Sequence, residues 1–274
     1  MTWLVVGASG YLGGELCRQV GAAGDRVVGT YRSTPLDLPG TQPRRLDVRD
    51  RAAVRELVTA VRPDVVINTA YDTADWATTA DAAGYVAVAA AEVGARLVFV
   101  SSDALHAGAP EPYGDDVPPS PVNPYGAAKA AAETAVRLVD PGAVLVRTSL
   151  IIGDERSKQI QLCLAALAGT ATLFSDEIRC PVGVADLASA LRELAVSPYT
   201  GVLNVAGPDA VSRPELGRLV AGRYGLDPAA LRTTTRAEAG LSRPGDVRLD
   251  SSRAADLVRT RLRGAHELLT GGTA

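Results

Sequence analysis

Lysine is nearly absent from this chain: 28 residues are Lys or Arg, but only Lys129 and Lys158 are lysine, which leaves 26 arginines. Where arginine serves almost everywhere, a retained lysine is a candidate for a place that requires a compact ammonium. Aromatic residues are only 4% of the 274, so the core must be aliphatic. Three cysteines, Cys17, Cys163 and Cys180, lie far apart without a CxxC pair, and only His106 and His266 could join them. A disulfide framework and a metal site are both unexpected on that count. No stretch reaches the ~18 apolar residues of a membrane span; the longest run without a charge, 159–175, contains Gln, Gly and Thr. Positions 1–6 already read as a strand, leaving no room for a signal peptide, so a reduced, cytoplasmic protein is expected. The net charge of −3 gives no global positive field for nucleic acid or an anionic membrane.

What is present is an ordinary globular composition, 47% hydrophobic and 22% charged, in a length that suits one large domain or two closely joined ones. β-Branched runs at 2–6, 26–30, 43–46, 65–68, 96–100 and 143–147 alternate with helical patterns at 11–23, 50–61, 78–93 and 123–138. That alternation predicts an α/β fold, a doubly wound parallel Rossmann-type sheet. The run at 43–46 carries the weakest pattern. Beyond Gly153 the pattern changes to helices at 157–168, 184–195, 212–224 and 251–258, an apolar piece at 171–174 and a strand at 201–205. Residues 1–153 are therefore expected to form one α/β domain, and 154–274 a smaller α/β lobe with some segments packed back on the first. Between Arg232 and Arg263 eight arginines face Glu238, Asp246, Asp250 and Asp256, an excess that suits either an anionic ligand or a solvated face.

Gly7, Ala8, Ser9, Gly10, Tyr11, Leu12 and Gly13 follow the first strand and open the first helix. Glycines in that context permit a tight turn and close approach of backbone N–H groups to a pyrophosphate, whose charge meets the positive end of the helix. At the end of the second strand stand Thr30, Tyr31, Arg32 and Ser33. No carboxylate is there to repel a 2′-phosphate, so NADP is favoured over NAD, with an ordinary exposed arginine as the alternative. Asp47 and Val48, after the third strand, are candidates for the adenine edge or for a helix start.

Tyr125 and Lys129, at i and i+4 in a helical pattern begun by Asn123 and Pro124, share one helix face. A cation there would favour the phenolate and lower the pKa of the phenol. Ser101, Ser102 and Asp103 close the fifth strand at the sheet edge where α/β folds bind ligands. Together with GASGYLG and Asn68, Thr69 and Ala70, these residues resemble the extended short-chain dehydrogenase/reductase family along nearly the whole chain. Within it, VVINTAYDTAD, FVSSD, PVNPYGAAKAAAE, VRTSLIIG, DEIRCPVGVADLA and RPGDVRLDSSRA are most similar to the dTDP-4-dehydrorhamnose reductases and related sugar-nucleotide ketoreductases.

The resemblance implies Tyr125 as acid/base, Lys129 as the residue that lowers its pKa and holds the nicotinamide ribose, and Ser102 as the residue that orients the substrate oxygen. It also implies Asn68, Thr69 and Ala70 on the adenosine side, Ser149 and Leu150 near the nicotinamide, and Arg179, Arg243 and Arg248 as candidates for a substrate diphosphate, with Asp103 and His106 beside the substrate. A homodimer through the YxxxK helix is a further family trait. Where the rhamnose reductases resemble STDYVFDG this chain has SSDALHAG, and Leu150 stands where they carry an aromatic residue; Asp81 occupies the usual asparagine position. The sugar pocket is therefore expected to differ. The expected activity is NADPH-dependent reduction of a 4-keto-6-deoxy sugar nucleotide. Reduction of a non-nucleotide carbonyl or imine is the first alternative. A non-catalytic NADP-binding subunit, similar to the regulatory subunit of methionine adenosyltransferase, is the second.

Overall fold

A computed structural model describes residues 1–271. The strands are β1 (Thr2–Val6), β2 (Arg26–Tyr31), β3 (Thr41–Arg45), β4 (Val65–Asn68), β5 (Arg96–Ser102) and β6 (Val144–Thr148), then the two-residue β7 (Ile151–Ile152), β8 (Leu173–Phe174), β9 (Ile178–Arg179) and β10 (Val182–Gly183), and finally β11 (Gly201–Asn204), β12 (Val211–Ser212) and β13 (Thr233–Thr234). The helices are α1 (Tyr11–Ala22), α2 (Arg51–Val61), α3 (Ala82–Glu92), α4 (Pro124–Val139), α5 (Lys158–Leu167), α6 (Val184–Ala195), α7 (Arg213–Tyr224), α8 (Ser252–Leu257) and α9 (Ala265–Thr270).

Seven strands form one parallel sheet in the order β11-β6-β5-β4-β1-β2-β3. Its inner strands are near-continuous apolar runs because both faces are covered. Val5, Ile67, Val98 and Val146 face α1 and α6 through Leu16, Val20, Leu187 and Leu191. Leu4, Val66, Leu97 and Leu145 face α2, α3 and α4 through Val54, Val86 and Val136. A third, smaller core of Ile160, Cys163, Leu173, Leu216 and Val220 lies under α5 and α7. All three cysteines are free and buried.

The edge strand β3 is largely exposed and carries Pro43, Arg44 and Arg45, residues that discourage further pairing; its polarity is why the pattern there was weak. At the other margin β11, from the second half of the chain, pairs with β6, and α6 packs against α1. The helix expected over 78–93 begins with a π-helical turn, Ala77–Asp81, before α3. The apolar piece at 171–174 contains β8, whereas β7, β9, β10, β12, β13 and α9 carry no periodicity that would reveal them. No helix among the described residues is long and apolar enough to cross a membrane.

Candidate active site

On either side of β1 the chain departs in opposite directions, to β2 and to β4, which opens a crevice at the carboxyl ends of these strands. A cleft of about 1160 Å³ runs from there to the starts of α5 and α7. At its first end Gly7 adopts φ +88°, and a Cβ on it would lie 2.9 Å from the Ala70 nitrogen and from the Thr69 hydroxyl. A Cβ on Gly13 would collide with the carbonyl of Gly7, so only glycine lets α1 pack this close to the loop. Gly10 caps α1 with no side-chain acceptor, leaving the first N–H groups of the helix for an anion. Tyr11 accepts a 3.0 Å hydrogen bond from the Asp154 nitrogen and so ties this loop to the second lobe.

Thr30 accepts from the Gly7 nitrogen at 2.9 Å. Beyond it Arg32 and Ser33 are exposed at the rim, and Arg45 donates to the Arg32 carbonyl at 3.3 Å. The hydroxyls of Ser101 and Thr148 are buried without a hydrogen-bond partner, and both residues line the cleft. Two unsatisfied hydroxyls in the same cleft as a glycine cradle fit a polar cofactor. Ser9, Leu12, Tyr31, Val48, Thr69, Ala70 and Leu150 line the same cleft, as do the expected Gly7, Gly10, Tyr11 and Gly13.

β5 delivers Ser102 to the cleft, and the 3₁₀ turn Asp103–Leu105 follows it. α4 starts at Asn123, whose side chain accepts from the Gly126 nitrogen at 2.8 Å, with Pro124 in the first turn. A Cβ at position 126 would run into the Ala104 carbonyl; glycine lets α4 press onto that turn and sets Tyr125 beside Ser102. Below them Lys129, 2% exposed, donates to the Val100 carbonyl at 2.8 Å. The helix is locked from behind by Glu133 and Arg147, both buried and 2.9 Å apart, and Arg147 also donates to the Val117 carbonyl at 2.8 Å.

Burial holds the Lys129 ammonium down at about 7, against the opposing charge of Glu133. Burial also raises the Tyr125 phenol above its ordinary value; Tyr71 and Asp103 add to the rise, and the Ser102 hydroxyl works the other way. Burial therefore outweighs the lowering expected from the Lys129 ammonium. With the ammonium turned to a backbone carbonyl and itself desolvated, burial dominates the phenol.

The far wall is cationic. Glu177 is fully buried and lies 3.1 Å from Arg213, 3.9 Å from Arg179 and in direct hydrogen bond with Arg243. Burial alone would raise its pKa, but these guanidiniums, led by Arg243, bring it below the usual range. Asp103 accepts from Ser149 at 2.6 Å and lies 3.5 Å from Arg179, so the serine expected at the nicotinamide also braces the floor.

Four expected residues are not among those lining the cleft. His106 is fully buried, stacked on Tyr113 at 4.1 Å, and pushed down to about 3 mainly by burial, so it meets no substrate. Arg248 is turned to Asp246 at 2.9 Å. Asp47 is clasped by Arg49 at 2.6 Å, whose hydrogen bonds bring it to about 2. Asn68, 3% exposed, accepts from the Ala70 nitrogen at 3.1 Å and shapes the turn from beneath.

Residues 1–270 match the family of the RmlD substrate binding domain. The chain belongs to this family. It is an oxidoreductase of the extended short-chain dehydrogenase/reductase type, in the branch that resembles dTDP-4-dehydrorhamnose reductase. The dTDP-4-dehydrorhamnose reductase of Mycobacterium tuberculosis is 32% identical over 254 residues, 86% of this chain and 79% of that protein. The spore coat polysaccharide biosynthesis protein SpsK of Bacillus subtilis is 30% identical over 245 residues, 85% and 82% of the two chains. The crystal structure of a hypothetical dTDP-4-dehydrorhamnose reductase from Sulfolobus tokodaii superposes with a TM-score of 0.83 at 28% identity, covering 95% of this chain and 96% of that one.

In this RmlD-type chain the sequence marked Lys158 only as a rare lysine, and Tyr71, Gln159 and Arg213, which line the cleft with it, and the buried Glu177 were missed. Tyr71 sits inside VVINTAYDTAD and Glu177 inside DEIRCPVGVADLA, so motif resemblance pointed at both segments without singling out either residue.

Proposed function

We propose that this chain is a cytoplasmic NADPH-dependent ketoreductase of a nucleotide-linked 4-keto-6-deoxy sugar, with residues 1–153 holding the cofactor and 154–274 the substrate. The observation that carries this reading is one cleft with three parts in sequence: the glycine cradle, the Ser102, Tyr125 and Lys129 cluster, and the guanidiniums gathered on Glu177. Gly7, Ser9, Gly10, Tyr11, Leu12 and Gly13 hold the pyrophosphate, Arg32 and Ser33 with Tyr31 the 2′-phosphate, and Thr69, Ala70 and Val48 the adenosine. Ser101, Ser149 and Leu150 border the nicotinamide.

NADPH, when bound, supplies a hydride to the carbonyl carbon. Ser102 donates a hydrogen bond to the carbonyl oxygen, and Tyr125, a neutral phenol at physiological pH, gives its proton to that oxygen as negative charge develops. The alkoxide is the stronger base, so the proton runs to the substrate. The Lys129 ammonium then stabilises the phenolate left behind until solvent reprotonates it. Arg179, Arg213 and Arg243 offer charge to a substrate diphosphate, because among the described residues the three guanidiniums face only two carboxylates, Glu177 and Asp103.

NADPH oxidation followed with dTDP-, UDP- and GDP-linked 4-keto sugars tests the reading. Tyr125→Phe should lose at least about a hundredfold in kcat while binding NADPH as the wild type does; wild-type turnover in that variant would remove Tyr125 from the chemistry. Ala104 and Leu150, both small or aliphatic on the cleft wall, favour a second reading in which the substrate is a carbonyl compound without a nucleotide. Turnover of such compounds with silence across the nucleotide-sugar panel would establish it.

A further inference from the structure

The sequence leaves the substrate side of the cleft short of aromatic surface, since Ala104 and Leu150 replace bulky rings and His106 is buried away. One ring occupies that side. Tyr71, in the loop after β4, is 45% exposed and lines the cleft. Its ring centroid lies 5.8 Å from that of Tyr125, with the planes at 48°. Both lysines of the chain converge on it: the Lys129 ammonium is 5.5 Å from the ring centroid and the Lys158 ammonium 5.8 Å. In a chain where arginine serves as cation almost everywhere, the two compact ammoniums meet at one aromatic ring.

The loop that carries Tyr71 is fixed without help from the ring. Thr69 donates its nitrogen and its hydroxyl to the Val6 carbonyl, each at 2.9 Å. The Thr79 hydroxyl accepts from the Asp72 nitrogen at 3.0 Å and donates to the Asp72 carbonyl at 2.6 Å. The phenol ring is therefore neither buried filler nor a mobile flap: its backbone is pinned on both sides and its surface is left open to the cleft. A pinned aromatic face beside the proton donor is a preorganised surface for the C–H face of a saturated ring.

We propose that Tyr71 is the platform against which the carbonyl-bearing ring of the substrate packs, steadied from the second lobe by Lys158 at the start of α5, and that the two are specificity-determining residues. This rests on the ketoreductase reading for its carbonyl but not for its nucleotide. A ring seated on Tyr71 lies beside the Tyr125 phenol, and Lys158 adds an ammonium that can meet its hydroxyl groups. The platform supplies here the aromatic contact that Ala104 and Leu150 cannot.

The test measures NADPH oxidation by wild type, Tyr71→Ala, Tyr71→Phe and Lys158→Met with two probes, a dTDP-linked 4-keto-6-deoxy sugar and cyclohexanone as an unlinked ring ketone, with NADP affinity by calorimetry as the folding control. Tyr71→Ala should raise KM about three- to tenfold with little change in kcat, since a platform binds ground and transition states alike. Tyr71→Phe should bring KM back to within about twofold, and Lys158→Met should raise it about two- to fivefold. An unchanged KM in Tyr71→Ala, or a Tyr71→Phe as impaired as Tyr71→Ala, overturns the platform. Wild-type turnover of cyclohexanone alone, with a KM that rises in Tyr71→Ala, removes the nucleotide reading and keeps the platform. Turnover of the sugar nucleotide with no dependence on Tyr71 does the reverse, and an enzyme inert to both probes overturns both.

Discussion

Lys129 carries an energetic conflict on a single side chain. Its ammonium is buried with one neutral acceptor at 2.8 Å, the Val100 carbonyl, and burial depresses its pKa from 10.5 to about 7. The unfolded chain therefore binds more protons than the folded one between pH 7 and 10.5, so this residue's contribution to stability rises with pH across that window and its penalty is nearly complete below it. Lys129→Met should accordingly stabilise the protein at pH 6 by on the order of 2 kcal/mol, read as a raised Tm, while losing activity. The same titration bears on the reaction. The cation that supports the Tyr125 phenolate disappears as pH rises through about 7, so kcat/KM for reduction should fall over that range; a flat profile from pH 6 to 9 would show that the ammonium stays charged in the working enzyme.

At the scale of elements, α4 is the part that must not move, because it holds both Tyr125 and Lys129. Glu133 and Arg147, 5% and 3% exposed, bind it to β6. Glu133→Ala strands the guanidinium of Arg147 in the core and should cost about 3–5 kcal/mol, measured by denaturant unfolding. Most elements of this half were legible in the sequence. The strands β1, β2, β4, β5 and β6 are runs of Val, Leu and Ile, and observed limits fall within about two residues of those expected. The glycine loop and the Tyr125 and Lys129 pair were legible because each is a local pattern with a local cause, whereas only the family resemblance joined Ser102 to them.

Of the cationic wall, the resemblance named Arg179 on β9 and Arg243 in the loop before the C-terminal helices, but neither Arg213 on α7 nor Glu177, the carboxylate at which the three meet. Pairwise meetings of that kind leave no period in the chain. His106 and Arg248 failed as expectations on similar grounds. Neither position signals whether its side chain turns to the cleft or to Tyr113 and Asp246.

For the whole molecule, the proposed 2′-phosphate contact lies at the rim and the proposed chemistry in the middle of the cleft, so the two should separate experimentally. Arg32 is exposed at the end of β2 with Ser33 beside it, and Asp47, the carboxylate whose charge it feels, is held by Arg49. Arg32→Ala should weaken NADPH binding about five- to thirtyfold and leave NADH binding unchanged, since a charged hydrogen bond to a phosphate is worth about 1–2 kcal/mol. Equal losses for both cofactors in calorimetry would move the 2′-phosphate contact elsewhere. Glu177 joins segments of the second lobe in the same way that Glu133 joins those of the first.

The sheet is finished out of order. Its seventh strand, Gly201–Asn204, pairs with Val144–Arg147 of β6, and α6 covers the Leu16 and Val20 face of α1 only after residue 184 has been made. As the chain leaves the ribosome, six strands stand ready while one edge lacks its neighbour and one oily face lacks its lid. A ribosome that stops between β6 and β11 thus releases a sticky nascent fragment rather than a small working nucleotide binder, and the interval spent translating that stretch is when this protein most needs a chaperone.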